Sequence, residues 1–108
     1  TEAGQFTAED AHGKRFAWCD FSGRIDGCIG EWAGIAVFDH PDNPRHPVPM
    51  LTYDYKANQF FQPGFLYEGP YTLRPGEELI LRYAVYVHDG LPDHADLKRL
   101  YERTVGGF

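Results

Sequence analysis

An all-β domain, an antiparallel β-sandwich carrying one C-terminal helix, is the fold class that this sequence predicts, and three observations point to it. Residues Glu78 to His88 alternate strictly, with Leu79, Leu81, Tyr83, Val85 and Val87 on one face and Glu78, Ile80, Arg82, Ala84, Tyr86 and His88 on the other. Turn signals such as Asp26-Gly27 and Arg74-Pro75-Gly76 separate several short runs rich in aromatic and β-branched residues. Helical spacing is sustained over a single stretch, Pro92–Val105.

Taken in order, residues 1–13 are polar, show no sustained period and read as a lead-in. Lys14–Ser22 is dense in aromatics and reads as a strand packed on both faces. Asp26-Gly27 fits the centre of a type I′ turn, since both positions there need positive φ. The return arm is Trp32–Phe38. A two-residue turn places Phe21 opposite Trp32, and Gly30 and Gly34 leave room for a bulge that shifts this register.

Asp39–Pro49 follows, with prolines at 41, 44, 47 and 49, which remove ladder donors and hold each preceding residue extended; this is a stiff loop. Met50–Tyr55 and Gln59–Tyr67 read as short strands around a turn at Lys56–Asn58. In the helix, Asp93 is the cap, Leu97, Leu100, Tyr101 and Thr104 or Val105 form the apolar stripe, and Gly106-Gly107 ends it.

Composition bounds the rest. A chain of 108 residues has room for one domain and buries about 65% of its unfolded surface. Eight Phe, seven Tyr and two Trp supply the core, so this is not a disordered tail. The net charge is −6 and the ten Lys and Arg are scattered, which argues against a nucleic-acid partner. The longest apolar run, Trp32–Phe38 with Gly34 included, is far short of the ~20 residues that cross a bilayer, so no membrane partner is expected. No basic-then-apolar leader stands at Thr1, and an upstream one is left open. A soluble protein of the cytoplasm or of a secreted or periplasmic compartment fits equally. Cys19 and Cys28 share a sheet face in the expected hairpin but lie roughly 20 Å apart along the ladder at ~3.4 Å per residue. A disulfide needs Cα atoms within ~7 Å, so both read as reduced packing residues.

The chemically dense stretch is residues 38–47. Arg45 has the planar fork for a carboxylate or a pair of hydroxyls. His40 and His46 exchange protons near neutral pH. Asp39 orients His40 only if the chain bends, because adjacent strand residues face opposite ways. Proline stiffness favours a ligand site, since fixed donors lower the ordering cost of binding. The same residues also suit a plain turn in which Arg45 bridges Asp39 or Asp42. His88-Asp89-Gly90 is a second cluster, equally readable as a turn. The five histidines show no HxxxH, HxH or HxxE spacing, and His12 and His94 lie in unrelated segments, so no metal is expected and no cofactor is indicated. Ser22 stands in DFSG, not on a GxSxG elbow, and no glycine-rich phosphate cradle is present.

The segments HGKRFAWCDFSG (12–23), GIAVFDHPDNPRHPVP (34–49), LRPGEEL (73–79) and LRYAVYVHDG (81–90) resemble, in this order, the C-terminal part of the PmoA-like family. Its members are bacterial proteins of unknown function that carry the name methane oxygenase PmoA. The resemblance spans roughly residues 12–105. It implies a C-terminal fragment or a shortened copy of a longer sandwich of the galactose-mutarotase kind, whose upstream half, with its histidine-rich HPHHRG-type block, is needed for completeness. It also implies a carbohydrate-active or sugar-binding protein. Met50 and Leu51 stand where the family has Trp and His, and Gly30-Glu31-Trp32 look inserted. Asp39, His40, Asn43, Arg45 and His46 are therefore the residues carried over as candidate ligand contacts. The methane label is a name and not an activity, because a particulate methane monooxygenase subunit resides in the bilayer. The alternative function is a non-catalytic β-sandwich module that binds a glycan or a protein.

Overall fold

The computed structural model describes residues 1–5, 7–24, 31–55 and 58–106. Two antiparallel three-stranded sheets and one C-terminal helix make up a sandwich-like, mostly β fold. Strands β1 (Lys14–Arg15), β4 (Pro49–Tyr55) and β5 (Asn58–Pro63) form one sheet in the order β1-β4-β5. Strands β2 (Trp18–Arg24), β3 (Trp32–Asp39) and β6 (Tyr83–Asp89) form the other, in the order β2-β3-β6. A short helix α1 (Ala8–Ala11) precedes them, and helix α2 (His94–Val105) closes the chain.

The expected single strand Lys14–Ser22 is two. The chain crosses between sheets at Phe16-Ala17, and the split follows from where its aromatics go. Phe16 enters a core with Ala11, Cys19, Val48 and Met50, while Trp18 enters a second core with Ala17, Ala36, Phe38 and Leu97. One face of the β2-β3-β6 sheet thus packs on α2, where the ring of Tyr101 meets Phe38 edge-on at 5.7 Å. The other face meets the β1-β4-β5 sheet through Cys19 and through Phe21, which stacks on Phe61 at 5.6 Å.

The first hairpin is present, but its register differs from that of a two-residue turn. Phe21 faces Ile35 and Trp32 faces Arg24, so the connection is residues 25–31. Asp26-Gly27, Gly30 and Cys28 lie outside the described residues, as does the turn at 56–57. The pairing continues unbroken from Arg24 to Trp18, without a bulge at Gly34.

Two strands are shorter than their patterns suggest. β5 stops at Pro63: Gly64 N still meets Pro49 O (2.7 Å), but Pro49 has no N–H to return the bond, and Tyr67 closes a turn onto Gly64 O (3.0 Å). β6 begins only at Tyr83, opposite Asp39, where β3 ends. Beyond that point the proline loop leads β3 away, and residues 78–81 pair with no strand among the described residues. The face of β6 that alternation marked as apolar is also not the core face: Val85 is 63% exposed and Val87 is 72% exposed, whereas His88 on the opposite face is buried.

The N-terminal segment is more than a lead-in. Thr7 caps α1 by accepting from Asp10 N (3.1 Å), and Glu2 ties both ends of the chain together. The Glu2 carboxylate accepts from Ala17 N (2.5 Å), and its carbonyl meets His94 Nε2 (2.8 Å). Helix α2 starts two residues later than expected, with Asp93 as its cap accepting from Ala95 N. It buries Leu97, with Leu100 and Tyr101 partly covered, as the sequence stripe requires.

Candidate functional site

The loop between β3 and β4 is organised around one carboxylate. Asp39 is the last residue of β3 and is fully buried. Its Oδ2 accepts from His46 Nδ1 at 2.6 Å and from Val48 N at 3.0 Å, and its Oδ1 accepts from Asn43 Nδ2 at 2.7 Å. A buried carboxylate is costly unless its lone pairs are filled, and three donors fill them here. Because a carboxylate only accepts, His46 carries a hydrogen on Nδ1, and Nε2 takes no part in this bond. The His46 side chain is 19% exposed.

The other candidate residues contact their own chain. Asn43, also buried, brackets Arg82: Nδ2 donates to Arg82 O (2.7 Å) and Oδ1 accepts from Arg82 N (2.8 Å). This side chain takes over the role of a strand neighbour just where β3 has ended. His40 accepts from Asp42 N at Nδ1 (3.0 Å), and its backbone N–H reaches Arg82 O (3.2 Å). Asp39 therefore orients His46 and not the adjacent His40. Arg45 sits in the left-handed region with φ 67°, and His46-Pro47 is a cis peptide. The Arg45 guanidinium bridges neither Asp39 nor Asp42. It donates to three carbonyls, Phe65 O (3.0 Å), Gly69 O (2.7 Å) and Pro70 O (2.6 Å), and lies over the rings of Phe65 and Tyr71. Arg15 adds a second clamp, donating to Arg45 O and Pro47 O while pairing with Glu68.

A second Asp–His pair lies on the face of the other sheet that packs on α2. His88 does not pair with its neighbour Asp89. Its Nε2 meets Asp20 Oδ1 at 2.5 Å and its Nδ1 meets Gly90 O at 3.1 Å, while Ser22 donates to the other oxygen of Asp20. These three side chains link both edge strands above Gly34 of β3, where a Cβ would stand 2.8 Å from His88 and 2.8 Å from Phe21 O. Both ring nitrogens face acceptors, so this imidazole is engaged in joining strands. Ser22 bonds to the carboxylate and not to the histidine, which is the wrong order for a serine nucleophile activated by an imidazole. Asp20 and Ser22 were not legible as partners of His88, because nothing local links positions so far apart in the chain.

The remaining histidines are structural in their contacts. His12 Nδ1 lies between Thr52 N (3.1 Å) and Thr52 O (3.0 Å), with its ring against Tyr53 and Tyr67. Among the described residues, no three His, Cys, Asp or Glu side chains converge on a common point for a metal ion. No helix of the described residues is long and apolar enough to cross a membrane. Two clefts stand out among the described residues. One, of about 560 Å³, runs along β2 between the N-terminal segment, β4 and the start of α2. The other, of about 760 Å³, lies between β6 and α2 and is lined by His88, Asp96, Arg99 and Arg103.

No curated protein and no solved structure matches the chain. The family match that exists covers residues 1–102 and carries no link to PmoA or to a methane oxygenase. The chain belongs to the family of unknown function DUF6807.

Proposed function

We propose that this domain is part of a carbohydrate-active protein, with loop 39–49 as its ligand site and His46 Nε2 as the atom the ligand meets. The observation that carries this reading is the 2.6 Å hydrogen bond from His46 to the fully buried Asp39. It fixes the tautomer of the ring before any ligand arrives, and a fixed acceptor binds a hydroxyl without an ordering cost. Asn43 and Arg45 then hold the loop and the 65–70 segment in place, as a supporting shell does. Tyr71, exposed on the stretch next to the carbonyls that Arg45 clamps, offers an aromatic face for a sugar ring.

The test is calorimetric titration of a panel of neutral mono- and disaccharides into the wild-type chain and His46→Gln, with polarimetry to follow anomer interconversion. We expect one sugar class to bind the wild type and His46→Gln to weaken it about tenfold or more, as loss of a buried hydrogen bond to a ligand does. Unchanged binding by His46→Gln, or no binding by any sugar, overturns the reading. A non-catalytic glycan-binding module is the second reading. It is favoured by the full engagement of Asp39, Asn43 and Arg45 with their own chain, and binding without any effect on anomer interconversion selects it.

A further inference from the structure

Strand β6 is an edge of its sheet, and two bonds give the direction of its backbone groups. Gly90 N donates to Trp32 O (2.6 Å) and His40 N donates to Arg82 O (3.2 Å), at the two ends of the β3-β6 register. In an antiparallel pair such exchanging positions alternate, so Ala84, Tyr86 and His88 turn their N–H and C=O toward β3. Tyr83, Val85, Val87 and Asp89 turn theirs outward. Among the described residues, no hydrogen bond from another segment reaches these outward groups.

This edge carries none of the features that keep strands apart. No Pro, Lys, Arg or Glu stands between Tyr83 and His88, and the pairing with β3 runs without a bulge from Tyr83 to Asp89. Val85 and Val87 are exposed on one face of the strand. Tyr86, on the other face, is exposed too and lines the cleft of about 760 Å³ beside α2. The helix side of that cleft carries Asp96, Glu102, Arg99 and Arg103. These charges sum to zero, so the wall favours neither a basic nor an acidic strand.

We propose that β6 pairs with β6 of a second copy of this chain, antiparallel about a two-fold axis at Tyr86, so that two three-stranded sheets become one. Such a contact must be self-complementary, and the order of residues along β6 is. The register sets Val85 beside the second copy's Val87 on both sides of the axis, with their outward N–H and C=O groups exchanging bonds. It sets the small Ala84 beside His88 and the Tyr83 ring beside Asp89. The two Asp89 carboxylates then lie at opposite ends of the ladder, about 20 Å apart at ~3.4 Å per residue. An axis at Val87 would instead set Asp89 against Val85, and one at Val85 would set Asp89 against Leu81. The axis also turns the neutral wall of α2 toward its own copy, where it meets no net repulsion. This self-match selects a second copy over a foreign strand. The contact is separate from loop 39–49 and does not depend on the sugar reading.

The test is sedimentation velocity from about 1 μM to about 1 mM on the wild type, Val85→Lys/Val87→Lys and Val85→Glu/Val87→Glu, with the two variants run alone and mixed. The wild type is expected to pass from monomer to dimer as concentration rises. Each variant alone sets like charges side by side and is expected to associate about tenfold more weakly, whereas the equimolar mixture regains the dimer. Both valines are exposed, so thermal melts of the two variants should stay close to that of the wild type. The register is read by cross-linking in a Cys28→Ser background. Tyr86→Cys meets its copy at the axis and should form a disulfide-linked dimer, while Val85→Cys, two places out of register with its copy, should not. His46→Gln associates as the wild type does. A wild type that stays monomeric at about 1 mM, variants that associate as it does, a mixture that stays monomeric, or a Val85→Cys chain that cross-links as fast as Tyr86→Cys each overturns the proposal. So does a wild type whose Val85 and Val87 amides are protected from exchange by an alternating Val-Thr peptide but not by its own concentration, which assigns the edge to a foreign strand.

Discussion

Asp39 and His46, seven residues apart, are joined by a 2.6 Å hydrogen bond whose acceptor has no exposed surface. That bond sets the shape of the loop, because the same carboxylate also holds Val48 N and Asn43 Nδ2. Asn43 in turn holds both backbone groups of Arg82. One buried anion therefore links the end of β3, the start of β4 and the approach to β6.

Asp39→Ala is expected to destabilise the fold by about 3–5 kcal/mol, since it leaves the buried Val48 N and Asn43 Nδ2 and the partly exposed His46 Nδ1 without this acceptor. Urea unfolding measures it. A loss below about 1 kcal/mol would show that water replaces the carboxylate and that the loop does not depend on it.

Arg45 gives a paired prediction. Truncation removes donors from Phe65 O, Gly69 O and Pro70 O, and Arg45→Ala is expected to cost about 2 kcal/mol, tempered because these carbonyls lie near solvent. Arg45→Gly loses the same clamp but accepts φ 67° without the Cβ penalty, so it should be about 1 kcal/mol more stable than the Ala variant. Equal stabilities for the two variants would contradict the backbone assignment.

What was legible follows the range of the physics involved. Arg74-Pro75-Gly76 could be read because the turn is local: Glu77 N closes on Arg74 O at 3.0 Å and Gly76 takes φ 84°. Asp93 as a cap and Leu97 as the buried helix residue are local in the same sense. The stiff loop 39–49 was visible from its prolines, but the choice of His46 over His40 as the partner of Asp39 depends on how the chain folds back, which residue spacing does not encode. The β2-β3 register was out of reach because residues 25–31 intervene where Asp-Gly suggested a tight turn. The late start of β6 goes with Asn43 standing in for a strand beside Arg82, across 39 positions. The pairing of His88 with Asp20 spans 68, and no pattern in the sequence reports either distance.

Gly34 and Gly23 should behave oppositely when replaced by Ala. A Cβ at Gly34 meets His88 Cε1 and Phe21 O at 2.8 Å, and the second of these is backbone that cannot rotate away. Gly34→Ala is expected to cost about 2–3 kcal/mol. Nothing lies within 4 Å of a Cβ at Gly23, and Gly23→Ala should be neutral or stabilising by about 0.5 kcal/mol. Thermal melts of the two variants compare them directly, and equal melting temperatures would show that the sheet shifts to admit the methyl group.

Cys19 makes stability depend on pH in the alkaline range. Burial among Ala11, Phe16, Val48 and Met50 pushes its thiol up to about 11, with the nearby Asp20 carboxylate adding to the rise and the N-terminal amine opposing it. An unfolded thiol ionises near its ordinary value of 9.0, so the folded chain holds this proton more tightly. The contribution is therefore complete below pH about 9 and is lost as pH rises toward 11, amounting to about 2–3 kcal/mol at the upper end. Burial also raises Tyr83, with help from Asp39, and Tyr101, with help from Glu2 and Asp39, so stability is further lost as pH rises above their ordinary value of 10.0. Comparing the pH slope of urea unfolding for Cys28→Ser and Cys19→Ala/Cys28→Ser isolates the Cys19 part. The double variant should be less stable at pH 8 but flatter between 9 and 11. In the Cys28→Ser chain, alkylation of Cys19 at pH 8 should be slow and should accelerate with urea in step with unfolding, because only the opened chain exposes a thiol that ionises readily. Rapid, complete alkylation of the native chain at that pH, with no dependence on urea, would place Cys19 at an accessible surface and refute the packing described for it.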